Sequence, residues 1–337
     1  MQREVFRARG VGAPLVTLRD PEPAAAGERA APSFGCVARL ESPAAICGTV
    51  PRMPSSQPES TPAPPGAAGR DTTRPAAKDQ WTSGDAYEIW MGRWSRLLAA
   101  DFLRWLDAPA GARWLDVCCG GGALTDAILA RCRPALIRGV DRSPAQIAFA
   151  RRHPAPPAAF CLADAAALPF RDQEFDLSVC GLGLNFLPDA PAALRAMRRV
   201  TRPGGAIAAY VWDYAGKMRF LREFWDAALA VDPEAADFDQ GRRFPICSPK
   251  GLQDAFHAAG LHSPATCELD ITTHFSSFDD YWHGFSLLQG SAPVYLASRS
   301  EAVREAIRTR LHAALPANAD GSIILRARAL AIRAGRH

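Results

Sequence analysis

The sequence predicts an α/β protein built on a mostly parallel sheet with helices on both faces. Three observations carry that reading. Short apolar runs alternate with helical stretches between residues 113 and 212, as right-handed βαβ units require. The first run ends in a glycine turn, 113-RWLDVCCGGGALTDAIL-129. The second run ends in an acid, 138-RGVDRSPAQI-147.

The elements follow in order. Bulky residues recur at helical spacing through 84-GDAYEIWMGRWSRLLAADFLRWL-106, from Tyr87 and Trp90 to Phe102 and Leu106. They predict a helix, which Asp107 and 109-PAG-111 end. Strands are predicted at 113–118, 135–140, 158–163, 174–180 and 205–212, with helices at 122–132, 144–152 and 190–201. Beyond 212 the order is less regular. Helices fit 217–230, 249–259, 277–288 and 298–313, and strands fit 266–273 and 322–333.

Residues 1–80 differ from the rest. Twelve of the 28 prolines fall there, and 51-PRMPSSQPESTPAPPGAAGR-70 has no hydrophobic period. Such a composition buries too little surface to offset its ordering entropy, so a disordered extension is expected. The alternative is a natural start codon further downstream. The domain reading is therefore 1–80 as extension and 81–337 as one folded domain.

The bulk numbers exclude several classes. A net charge of +4 gives no strong pull toward nucleic acid or anionic membrane. There is no apolar run of membrane-spanning length. The arginines at 3, 7 and 9 precede only a short apolar stretch broken by Pro14, so no secretory signal is expected. Nine cysteines without a CxxC pair argue against a zinc site and fit a reducing cytoplasm.

A glycine turn between strand and helix is by itself as compatible with a tight turn as with a ligand cradle. Two neighbours favour the cradle. Asp141 follows Gly122 by 19 positions, where an acid accepts bonds from ribose hydroxyls. Ser143 suits a helix N-cap, with Pro144 in the first turn. These features fit a dinucleotide or another adenosine-bearing cofactor. Thr125 stands where a dinucleotide loop carries its third glycine. Asp116 sits in the first strand, where it would repel a pyrophosphate but favour an amino-bearing, cationic ligand. That points to S-adenosylmethionine.

With these residues in hand, the region 112–212 resembles a class I S-adenosylmethionine-dependent methyltransferase. The matching segments are 114-WLDVCCGGG-122, 138-RGVD-141, 162-LADAAALPF-170, 175-FDLSVCGLGLNFLPD-189 and 202-RPGGAIAAYVW-212. The flanks 87-YEIWMGRWS-95 and 320-DGSIILRARALAIRAG-335 are similar to a bacterial group of small-molecule methyltransferases of type 11. The resemblance spans about 81–337.

The resemblance implies a seven-stranded sheet of order 3-2-1-4-5-7-6 with strand seven antiparallel. It implies a cofactor-capping lead-in at 81–110, a cofactor core at 111–212, a helical acceptor side at 213–320 and a last strand at 321–337. Asp116, Gly120 and Gly122 fall beside the methionine part, with Cys118 in the same loop. Asp141, with Arg142 next to it, falls at the ribose, and Asp164 and Ala165 fall at the adenine. Gly181 and Leu182 would line the methyl-transfer side. Tyr87 and Arg93 would meet the cofactor's carboxylate. Two positions depart from the family: Cys118 replaces a usual glycine and Gly121 a usual threonine. Binding is expected to survive both.

Other candidates carry less. Cys118 and Cys119 are adjacent, which suits small fillers better than a metal pair. The polar-Pro-Pro-aromatic turn of base-amine methylases is absent from 181-GLGLNFLPD-189, so nucleic acid is not the expected partner. Asn185 fits an acceptor-orienting role and a loop role equally. His274, His283, Asp213 and Tyr214 are the titratable candidates for a general base, and none stands out. Arg326 and Arg328 in the last strand read as an exposed face.

The expected function is methyl transfer from S-adenosylmethionine to an oxygen, nitrogen or carbon of a small apolar or aromatic molecule. The alternative is a cofactor-binding protein without catalysis, which a filled acceptor pocket would favour. A nicotinamide dehydrogenase is a third reading, disfavoured by Asp116 and Thr125.

Overall fold

The computed structural model describes residues 84–152 and 157–337. The extension expected at 1–80 lies outside the described residues.

The lead-in segment is helical but not uniformly so. Helix α1 (Gly84–Tyr87) passes through a π-helical turn (Glu88–Gly92) into α2 (Arg93–Leu106). The sequence period predicted one regular helix. In a regular helix residues eight apart point about 80° apart. The wider π turn lowers the rotation per residue and brings Tyr87, Met91 and Ser95 onto one line. Asp107 ends α2 in the left-handed conformation (φ 48°). Arg333 then donates to the Leu106 carbonyl at 2.9 Å.

Seven strands form one sheet. They are β1 (Arg113–Val117), β2 (Leu136–Asp141), β3 (Ala158–Leu162), β4 (Phe175–Gly181), β5 (Thr201–Trp212), β6 (Ala265–Phe275) and β7 (Ile323–Gly335). Their order is β3-β2-β1-β4-β5-β7-β6, with β7 antiparallel to both neighbours. The expected topology is therefore borne out. In β1, Trp114, Leu115 and Val117 are all fully buried, as a central strand covered on both faces demands.

Helices α3 (Ala123–Cys132), α4 (Pro144–Ala150) and α5 (Ala190–Val200) cross between the parallel strands. Helix α4 begins as its sequence specifies: the Gln146 N–H donates to the Ser143 cap, with Pro144 in the first turn. Asp189 caps α5 by accepting from the Ala192 N–H at 2.8 Å.

After β5 the chain builds a helical layer from α6 (Arg219–Val231), α7 (Gln240–Arg243), α8 (Pro249–Ala258), α9 (Phe278–His283), α10 (Ser291–Ala297) and α11 (Glu301–Ala314). The periodicity missed both α7 and α10, which fall between the helices it placed. Asp239 caps the four-residue α7 and Ser300 the longer α11, and elements as short as α7 and α10 carry too few residues to show an apolar period.

This layer packs on the lead-in segment through aromatic rings. Trp90 meets Phe220 at 5.6 Å and Phe285 at 5.0 Å. A Cβ on Gly284 would stand 1.9 Å from the Trp90 ring, so the close approach requires glycine there.

One expectation fails on β7. Arg328 is not part of an exposed face. Its guanidinium bonds both carboxylate oxygens of Asp270 across the β6–β7 pair, at 2.7 and 2.8 Å, and also reaches Glu268. A cross-strand partner neutralises what the strand alone reads as an exposed cation.

Candidate active site

Strands β1, β2 and β4 end on the same side of the sheet, beside the chain reversal where parallel sheets bind ligands. A cavity of about 560 Å³ opens there.

The floor is the turn after β1. Cys118, Gly120 and Gly122 all have positive φ (58°, 51° and 94°). A side chain is strained at such angles, so Cys118 carries a cost that the family's glycine does not. Gly120 and Gly121 line the cavity, and so do Cys118 and Cys119. Gly122 does not; it starts α3, with the Phe160 ring 3.3 Å from where a Cβ would lie. Its role is therefore to turn the chain, and the lining role expected for it passes to Gly121.

Asp141 organises the loop from β2. One carboxylate oxygen accepts the Gly120 N–H at 3.0 Å, and the other accepts the Ser143 N–H at 2.8 Å. Each oxygen keeps a lone pair for a further donor. The carboxylate thus fixes the glycine turn and remains able to hold a ligand.

Asp116 is 1% exposed. The Thr125 hydroxyl donates to one of its oxygens at 2.7 Å, and the other has no partner. Burial pushes its pKa up to about 7, opposed by the bond from Thr125 and reinforced by Asp141. Thr125, which the motif comparison marked only as a missing glycine, is the residue that anchors this acid.

Asp164 and Ala165 line the cavity beyond β3. Asp164 folds its own turn by accepting the Ala166 N–H at 2.8 Å. Arg199 of α5 donates to the carbonyls of Leu168 and Phe170 at 2.7 and 2.8 Å and pins the loop that carries them. Arg142 stands exposed at the rim. Gly181 and Leu182 line the side after β4. A Cβ at Gly181 would stand 2.7 Å from the Tyr210 hydroxyl.

The roof comes from the lead-in segment, where Tyr87, Met91 and Ser95 face the cavity. The Tyr87 and Ser95 hydroxyls share a hydrogen bond of 2.9 Å. Ser95 gives its proton to the Met91 carbonyl, so Tyr87 is the donor in that bond. Arg93 lies elsewhere. It pairs with Asp280 at 3.3 Å and stacks on Trp94 and Phe275, away from the cavity lining, because the helix turns it toward the helical layer.

The remaining wall is uncharged: Phe186, Leu187, Pro188, Trp212 and Tyr214. Among the base candidates only Tyr214 lines the cavity. His274 and His283 are exposed outside it, and Asp213 is used in a turn, accepting from the Gly216 and Lys217 N–H groups at 2.9 Å each. No group of side chains suited to a metal ion occurs among the described residues.

A methyltransferase domain family matches residues 115–209. The 2-phytyl-1,4-naphtoquinone methyltransferase of Synechococcus elongatus is 35% identical over 197 residues, covering 50% of this chain and 82% of that protein. The chain belongs to the class I S-adenosylmethionine-dependent methyltransferases. The Thermosynechococcus vestitus protein of the same name is 40% identical over 107 residues, 31% of this chain and 48% of that relative's length. The demethylmenaquinone methyltransferase of Staphylococcus aureus is 29% identical over 164 residues, 45% of this chain and 68% of that protein. Among solved structures, the YcgJ protein from Bacillus subtilis gives a TM-score of 0.45 at 19% identity, covering 73% of this chain and all of that one.

For this methyltransferase the fold, family and enzyme class expected from the sequence are borne out. Among the described residues no helix is long and apolar enough to cross a membrane. The same cavity that meets the glycine turn is also lined by Phe186, Tyr210, Trp212 and Tyr214.

Proposed function

We propose that this methyltransferase binds S-adenosylmethionine along the β1, β2 and β4 ends and methylates a small, uncharged, apolar or aromatic molecule held against the Phe186–Tyr214 wall. The residues suit the cofactor. The orphaned oxygen of Asp116 is a buried acceptor for an amino group. Asp141 offers free lone pairs to hydroxyls, and Asp164 and Ala165 bound the slot beyond them. When bound, the cofactor supplies an electrophilic methyl group on a sulfonium.

What this chain contributes is position and exclusion of water. The glycine turn and its carboxylates hold one partner. Phe186, Leu187, Pro188, Trp212 and Tyr214 offer the other an apolar surface. Fixing two reactants in line replaces translational and rotational entropy that would otherwise sit in the barrier. Tyr214 and Tyr87 bring hydroxyl groups to the cavity lining.

The observation that carries the acceptor class is the absence of charge on that wall. A charged acceptor buried there would have no partner for its charge, at large desolvation cost. The relatives, named for a phytyl-naphthoquinone and a demethylmenaquinone, support placing hydroquinone rings in the test panel. Methyl transfer from labelled S-adenosylmethionine should label phenolic and hydroquinone acceptors and spare anionic ones of equal size. Preferential labelling of the anionic compounds would refute the acceptor class.

A further inference from the structure

The floor of the cavity carries two thiols from different strands. Cys118, just past the end of β1, is half-buried and lines the cavity. Cys180, in β4, is fully buried. Strands β1 and β4 run parallel with Asp116 opposite Val179, so the two cysteines follow at neighbouring strand ends. Both sulfurs lie within 3.4 Å of one point, the place where a Cβ on Gly183 would stand. Glycine at 183 thus leaves the space in which the two thiols meet. The neighbouring Cys118 thiol, and then burial, holds the Cys180 pKa well above the ordinary thiol range.

Cys119 faces another way. Its sulfur lies 3.0 Å from the point where a Cβ on Gly139 of β2 would stand, in a small cluster with Ile147, Ala150 and Phe160. Of the two consecutive cysteines, Cys118 is the one that turns to β4. It does so at φ 58°, where a side chain is strained. Strain held at a ligand-facing position points to a use for the residue that bears it. An accessible thiol beside a buried one is the arrangement of an oxidisable cysteine with a resolving partner.

We infer that Cys118 is an oxidation site for peroxides, and that a disulfide to Cys180 then closes the floor of the cofactor site. The Cys118 sulfur attacks one oxygen of hydrogen peroxide, the O–O bond breaks, and the other oxygen leaves as water with the thiol proton. Cys118 is then a sulfenic acid. The Cys180 sulfur attacks the Cys118 sulfur, and the hydroxyl leaves as water with the Cys180 proton. Two thiols lose two electrons, and the peroxide is reduced to two waters. The raised pKa of Cys180 makes the second step the slower one. A covalent S–S bond is far shorter than a contact between separate sulfurs, so forming it draws the ends of β1 and β4 together and displaces the turn at Gly120. The effect on binding rests on the cofactor reading proposed above; the disulfide does not.

The test treats the full, reduced chain with hydrogen peroxide, with and without S-adenosylhomocysteine. Mass mapping reads the linked peptides, and calorimetry reads affinity for S-adenosylhomocysteine. A Cys118–Cys180 linked peptide should form, and a dithiol reductant should remove it. Ligand at about ten times its Kd should slow the link about tenfold, because about a tenth of the sites stay open. The oxidised protein should bind about tenfold more weakly, the worth of one buried contact. Cys180→Ser should instead retain a sulfenic acid at Cys118, which dimedone traps. Linkage of other cysteines, a link that forms equally fast under ligand, or an oxidised protein of unchanged affinity would overturn the inference. If Cys180→Ser does not fold, early dimedone trapping in the wild type decides the first step, and labelling at sites other than Cys118 overturns it. Reduced protein that binds no S-adenosylhomocysteine refutes the cofactor reading and the gating with it, and the linked peptide alone then decides the disulfide.

Discussion

The two ends of the cavity are built by opposite means. The end formed by β1, β2 and α4 is backbone and carboxylate. Its turn residues take positive φ, its acids accept N–H groups, and two of its buried oxygens are unpaired. The end formed by β5 and the helical layer is packed rings, such as Phe186 on Phe244 at 5.3 Å and Tyr214 on Phe244 at 6.0 Å. The first end is incomplete without a polar ligand. The second offers mostly apolar ring surface, with the buried Asn185 amide beside Phe186 also unpaired. Affinity for the cofactor should therefore concentrate in few residues, while acceptor binding should be spread over many.

Asp141→Ala is the strongest attempt to break that contrast. It removes two backbone anchors and the proposed ribose contact at once. Cofactor affinity should fall about a hundredfold, as bonds to a charged group are each worth about 1.5–3 kcal/mol. The unfolding temperature should fall too, by about ten degrees, because two backbone N–H groups lose a charged acceptor. Calorimetry and a melting curve read the two separately, and a loss under threefold would remove the loop from the site.

The Asp116 acid sharpens the comparison through pH. Its folded pKa, about 7, lies above the ordinary aspartate value of 3.8. The folded protein therefore holds this proton where the unfolded chain has released it. The sign follows: this group's contribution is full below about pH 4 and is lost as pH rises toward 7, by up to about 1.4 kcal/mol per unit. Asp116→Asn should abolish that slope in denaturant titrations compared across pH. A cationic amino group on the ligand favours the ionised acid, so cofactor affinity should rise up to about tenfold per unit below pH 7 and level above it. Proton release on binding near pH 6, seen as buffer-dependent heat, checks this. Proton uptake would contradict it.

Phe186→Ala probes the other end. It should raise the acceptor KM about tenfold through lost apolar contact and leave cofactor affinity within about twofold. A larger effect on the cofactor than on the acceptor would erase the division between the ends.

Cys118→Gly should have the smallest effect. It removes a strain of about 1–2 kcal/mol at φ 58° and adds a backbone entropy cost of about 0.5–1 kcal/mol. The net change in unfolding free energy should be within about 1 kcal/mol, read by denaturant titration. The buried environment of this loop tolerates cysteine because the side chain is small, with Gly183 leaving room beside it: a Cβ there would lie 2.4 Å from the Cys118 Cβ.

Much of the first end was legible from residues alone. The strand ends, the glycine turn, the Ser143 cap and the acids at 116 and 141 follow from local rules whose consequences lie within a few residues, while Asp164 entered only through the family resemblance. The pairing of Cys118 with Cys180 was not legible, since the two stand on different strands and meet only when β1 lies beside β4. Thr125 was visible only as a missing glycine, because its bond to Asp116 spans a strand and a helix. Arg93 reads as a cation near the cofactor in the linear sequence. Only the helix rotation and the presence of Asp280, 187 residues away, turn it to the helical layer.

What the sequence determined by itself was the alternation of strands and helices, the caps, and the chemistry of the cofactor turn. All of these depend on backbone preferences and short-range spacing. What only the tertiary structure decided was which aromatic side chains line the cavity, which titratable groups stay outside it, and which buried oxygens lack a donor. Those facts depend on contacts between residues far apart in the chain, and burial and pairing are properties of the packed molecule.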